Sequence, residues 1–111
     1  MIVSPDDLAH QASRYEGKRI IVHACLTITP HGDFISRCGA EDRRDITLVI
    51  PAKERSDLLY KPFRAPGVNY SYRVEADFEG TVVQQRVQWP DDHLQWFLSV
   101  AKLENARARK P

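Results

Sequence analysis

The chain has 111 residues and a formal net charge of +1, from sixteen Lys and Arg against fifteen Asp and Glu. With 42% hydrophobic and 28% charged residues it has the composition of an ordinary soluble globular domain. That balance argues against a bulk polyanion binder and leaves room only for a local basic patch.

Residues 1–111 read as a single domain, long enough to bury a core without disulfides or metals. No run of about 18 apolar residues is present to span a membrane. The first residues, Met1 to Asp7, are acidic and lack the basic-then-apolar order of a signal peptide. The expectation is a cytoplasmic protein. Cys25 and Cys38 are too few for a disulfide scaffold or a thiolate zinc site.

Ser4-Pro5-Asp6-Asp7 reads as a helix start. Ser4 can accept from exposed N–H groups, Pro5 suits the first helical position, and the acids face the positive end of the dipole. Leu8, Ala12 and Tyr15 recur at roughly helical spacing, which predicts a short helix over about residues 4–14, ended by Gly17. Its expected place is over one open end of a sheet.

Lys18 to Thr29 then alternates. Ile20, Val22, Ala24, Leu26 and Ile28 form one face; Arg19, Ile21, His23, Cys25, Thr27 and Thr29 form the other. Period two with β-branched residues means strand. At about 3.3 Å per residue it spans about 40 Å, long enough to bend and serve two sheet regions.

Pro30-His31-Gly32 suits a three-residue hairpin with a bulge. That turn pairs Thr29 with Asp33, Ile28 with Phe34, Leu26 with Ser36 and Ala24 with Cys38. Phe34 and Cys38 then join the core and Arg37 points out. A two-residue His31-Gly32 turn would instead set Cys25 opposite Cys38, inviting a disulfide, and Arg37 opposite Leu26. The first register buries the apolar residues, so it is preferred, and two free thiols are expected.

Residues 39–45 form a polar turn. Ile46 to Ile50 is a third strand, stopped by Pro51. Lys53 to Tyr60 suits a helical turn or two, and the Pro/Gly-rich stretch after it breaks regular structure. The fourth strand lies within Val68 to Phe78, with Tyr72, Val74, Ala76 and Phe78 facing in. Gly80 marks a bend or bulge. Thr81 to Val83 continue the strand, and Gln84 to Asp92 form a loop or hairpin tip. Leu94 to Leu103 is the fifth strand, with Trp96, Leu98 and Val100 on one face. The charged residues 104–111 read as a frayed tail.

This order resembles the OB-fold, a five-stranded Greek-key small barrel, here mainly β with a short N-terminal helix and a short helical linker between strands three and four. Three features carry the resemblance: the long first strand opened by Glu16-Gly17-Lys18-Arg19, the irregular connection after strand three, and Glu79-Gly80 within the fourth strand. The resemblance covers about residues 15–103. It implies a ligand face on strands two and three, flanked by the loops between strands one and two and between strands four and five.

No catalytic or metal signature stands out. His10, His23, His31 and His93 are scattered, and no His-x-His or His-x3-His pair starts a zinc site. Cys25 has His23 two residues away on the same face, yet no oxyanion-hole loop accompanies it, so it reads as packing. Asp6-Asp7 is explained by helix capping and Asp91-Asp92 by turn chemistry. No Gly-rich phosphate loop exists. A non-enzyme with no cofactor and no metal is expected.

Placed on the ligand face by the resemblance, the binding candidates are His31, Arg37, Arg43, Arg44, Arg86 and Trp89. Trp and Arg in mixed-charge surroundings fit a protein interface, so the expected function is a protein-binding adaptor, subunit or inhibitor. The same residues could hold single-stranded nucleic acid by stacking and phosphate contact, which is the alternative. Near-neutral charge and few aromatics on strands two and three weigh against it.

Overall fold

The computed structural model describes residues 1–29, 32–40, 43–50, 73–88 and 90–109. Its elements are β1 (Ile2–Val3), α1 (Pro5–Gln11) continued by a 3-10 turn (Ala12–Tyr15), β2 (Arg19–Thr29), β3 (Gly32–Ser36), β4 (Ile46–Val49), β5 (Arg73–Val87) and β6 (His93–Arg109).

The alternation of β2 organises the sheet. Ile20, Val22, Ala24 and Leu26 are all buried. The strand is long enough to serve two partners: Arg19 to Leu26 pair antiparallel with β5, and Cys25 to Thr29 pair antiparallel with β3. The sheet runs β1-β2-β3-β4-β6-β5, and the β2–β5 pairing brings its two sides together into a small barrel-like ring. β4 and β6 are parallel, so the chain crosses over after β5 returns to β2.

The inner face is supplied strand by strand. Phe78, Val82, Ile35 and Leu98 are fully buried beside the β2 residues. α1 closes one end by inserting Leu8, also fully buried; burying a leucine contributes about 1.5–3 kcal/mol. Its start is set as the sequence implies: the Asp7 N–H donates to Ser4 Oγ at 3.1 Å, with Pro5 in the first turn. Gly17, at φ 73°, turns the chain into β2.

Several expectations need correction. Among the described residues the sheet has six strands, because Ile2 and Val3 pair parallel with Ile21 and Val22. The fourth and fifth strands are longer than their apolar stretches. Gln84 to Val87 extend β5, and Glu104 to Arg109 continue β6 rather than fray. Backbone pairing with Arg73 to Asp77, and the Arg107–Glu75 ion pair, hold that charged end where apolar burial is scarce. The expected helical linker after strand three, and the start of the fourth strand before residue 73, lie outside the described residues.

The β2–β3 register is also different. Thr29 pairs with Gly32, Thr27 with Phe34 and Leu26 with Ile35. Only two residues, 30 and 31, separate the paired positions, one fewer than the Pro30-His31-Gly32 turn requires. The one-residue slip flips β3: Ile35 enters the core, and Phe34 moves to the outer face. The two thiols are not free. Cys25 and Cys38 form a disulfide, with Cα atoms 4.9 Å apart. They meet without being cross-strand partners, because Cys38 lies beyond the end of β3, in the turn that follows it.

Candidate functional site

Asp6 has two jobs, and only one was legible. It lies in the first turn of α1, where an acid suits the helix dipole. It also receives the β3–β4 turn: Arg43 Nη2 lies 2.7 Å from Asp6 Oδ1 and Arg37 Nη1 3.4 Å from Oδ2. Asp45 holds Arg43 from the other side, at 3.0 Å. The Asp45 N–H donates to the buried Ser36 hydroxyl, which ties the turn to the end of β3. The hydrogen bond from Arg43 to Asp6 pushes the guanidinium further into its charged form.

Arg44 is handled differently. It sits at φ 49°, a left-handed backbone that a long side chain seldom adopts. This turns its guanidinium over the Phe34 ring, 5.2 Å from the centroid. Among the described residues no carboxylate pairs with it. Phe34 is on the outer face because of the β3 slip. Its neighbours there follow from the register: Thr27 on β2, Thr47 on β4, and Phe97 on β6 through Thr47.

Arg44 also borders a groove of about 340 Å³ between α1, β4 and the first residues of β6. Ala9 of α1 and Ala12 of the 3-10 turn line one wall; Leu94, Gln95 and Trp96 of β6 line the other. The β5–β6 ribbon runs past the barrel, so its inner face has no core left to cover beyond Leu98. Trp96 is therefore half-buried, and Leu94 is 57% exposed. Gln95 donates to the Thr47 hydroxyl at 2.7 Å and fixes the floor.

The remaining sequence candidates fall as follows. Arg86 is the cross-strand partner of Leu94, one strand beyond the groove, and pairs loosely with Asp92 at 3.5 Å. His31 and Trp89 lie outside the described residues. Arg37, Arg43 and Arg44 therefore gather beside α1, and Arg86 stands across the ribbon from the groove. Phe34 and Leu94 were missed as site residues. Phe34 was missed through the register. The sequence reads Leu94 only as the start of the fifth strand; that it lies beyond the last core residue of β6 follows from the fold.

One group among the described residues could hold a metal: the ligand atoms of Cys25, Cys38 and Glu75 lie within 4.8 Å of one another. It sits on the outer face of β2 and β5, away from the groove. No helix among the described residues is long and apolar enough to cross a membrane. No family model, curated protein or solved structure matches the chain.

Proposed function

We propose that this chain is a non-catalytic OB-like barrel that binds a protein partner through the Arg44–Phe34 face and the adjoining groove. The OB reading is supported by a first barrel strand that pairs on both sides, by the crossover setting β6 between β4 and β5, and by a register shift at Glu79/Gly80. The observation that carries the binding reading is Arg44, turned in a left-handed backbone over Phe34 at the mouth of a groove ending in exposed Leu94. A guanidinium on an aromatic ring beside an apolar slot suits a short partner segment with one carboxylate and one or two apolar side chains.

The alternative is single-stranded nucleic acid, with a base stacked on Phe34. It is the weaker reading because Arg37, Arg43 and Arg86 are engaged by Asp6, Asp45 and Asp92. Phosphate contact would have to break those pairs.

A displayed library of short peptides should yield acidic-plus-apolar binders. Arg44→Glu and Leu94→Ala should each weaken them about tenfold or more without changing the circular dichroism spectrum. Binders unaffected by both substitutions would put the partner face elsewhere. An oligonucleotide that binds at about 50 mM salt and releases by about 200 mM would move the assignment to nucleic acid.

A further inference from the structure

Across β2 and β5, two outward pairs stand side by side: Cys25 opposite Glu75, and His23 opposite Asp77. The Glu75 carboxylate is buried, with 5% exposure, beside the disulfide sulfurs. A buried carboxylate on the outer face of a barrel is costly and calls for a reason. Arg107 is one such reason, donating to Glu75 Oε2 from Nε at 2.6 Å and also pairing through Nη2.

His23 is oriented toward the same place. Its Nδ1–H donates to Asp77 Oδ1 at 2.6 Å, since an ionised carboxylate can only accept. In the neutral ring this makes Nε2 the lone-pair nitrogen, 3.8 Å from Glu75 Oε2. Asp77 is itself held by the Asn105 amide, which donates to Oδ2 at 2.8 Å. The backbone is shaped for this arrangement. A bulge in β6 opposite Glu75/Asp77 puts Asn105 at φ 54° and delivers Asn105 to one acid and Arg107 to the other.

A carboxylate that fixes one imidazole nitrogen while the other approaches a carboxylate that itself lies beside two sulfurs resembles the outer-shell arrangement of a zinc site. We propose that the reduced chain binds a zinc-class divalent cation through Cys25, Cys38, Glu75 and His23, with Asp77 and Arg107 positioning the histidine and the glutamate. Two thiolates, one imidazole and one carboxylate are a tetrahedral ligand set for zinc. The disulfide and the metal site are then alternative states of one place. A dithiol breaks the S–S bond, giving two electrons and two protons to form two thiols, and is itself oxidised to a disulfide. Binding the cation expels the two thiol protons and leaves two thiolates on the metal. The disulfide belongs to an oxidising compartment and the metal form to a reducing one.

The test uses the full chain, reduced by a dithiol that is then removed without oxygen, and titrated with cobalt(II). The expected result is one equivalent bound, with a near-ultraviolet thiolate-to-cobalt band and the visible bands of a tetrahedral ion, discharged by one equivalent of zinc. Cys38→Ser should remove most of the thiolate band, and Glu75→Gln and His23→Gln should each weaken binding about tenfold or more. The oxidised chain should show no band. If reduction unfolds the chain, metal-driven recovery of the circular dichroism spectrum supports the site. No thiolate band, no recovery, or wild-type affinity in Glu75→Gln overturns it.

Discussion

Two antiparallel hairpins of this barrel-like sheet, β5–β6 and β2–β3, are built from different kinds of information. In β5–β6 each strand carries its own contrast. Val74, Ala76 and Phe78 are buried where Asp77 and Glu79 are not, and Leu98 and Val100 are buried on the facing strand. In β3 two apolar residues, Phe34 and Ile35, are adjacent. Period two cannot choose between them, so the turn has to. Alternation fixes which face a strand shows, but register decides which neighbour it shows it to.

The largest expected effect tests the ribbon. Gly80 pairs with Val100 next to a register shift, and a Cβ built there would lie 2.2 Å from the Ser99 carbonyl oxygen and 3.1 Å from Val100 Cα. Both are backbone atoms, so no side chain can swing aside. Gly80→Ala should cost about 3 kcal/mol or more, beyond ordinary overpacking, and equilibrium urea unfolding measures it. A loss under about 1 kcal/mol would mean that the two strands do not approach so closely.

The next effect tests the register of the β2–β3 hairpin. With Ile35 fully buried and Phe34 on the outer face, Ile35→Ala should cost about 2–5 kcal/mol. Phe34→Ala should cost about 1 kcal/mol, the size of a typical substitution outside the core. The three-residue turn predicts the reverse order, because it buries Phe34. Unfolding of the two variants under one condition therefore reads the register without a structure.

These residues also show how much could be read in advance. The helix start was visible because Ser4, Pro5 and Asp7 act within one turn. The inner faces of β2 and β5 were visible because each alternates on its own. The disulfide was visible only as the alternative to free thiols, because it depends on where the β3 slip and the following turn carry Cys38. The site was half visible: Arg37, Arg43 and Arg44 could be selected as arginines in a turn. That Asp6 would hold two of them and Phe34 the third depends on contacts between elements far apart in sequence. His23 and Cys25 were placed on one face correctly, yet their partners Asp77 and Glu75 come from another strand, and no local spacing announces them.

The smallest expected effect lies at the tip of the ribbon, where His93 pairs with Val87 to begin β6. Its Nδ1–H donates to the Asp91 carbonyl at 2.9 Å, and Gln95 lies 3.3 Å from Nε2. The Asp91 carbonyl first, and Gln95 second, raise the imidazole above its ordinary value of 6.5. A raised value means that the folded state binds the proton more tightly than the unfolded chain does. The stabilisation is fully present below the unfolded value and is lost as pH rises through the folded one. In an NMR titration the His93 ring protons should therefore have a midpoint above 6.5, and Gln95→Ala should lower it. Asp91→Asn should lower it too, by removing the nearby carboxylate, while the backbone acceptor at residue 91 stays in place. A His93 midpoint at or below 6.5 would show that the tip hydrogen bond does not persist in solution.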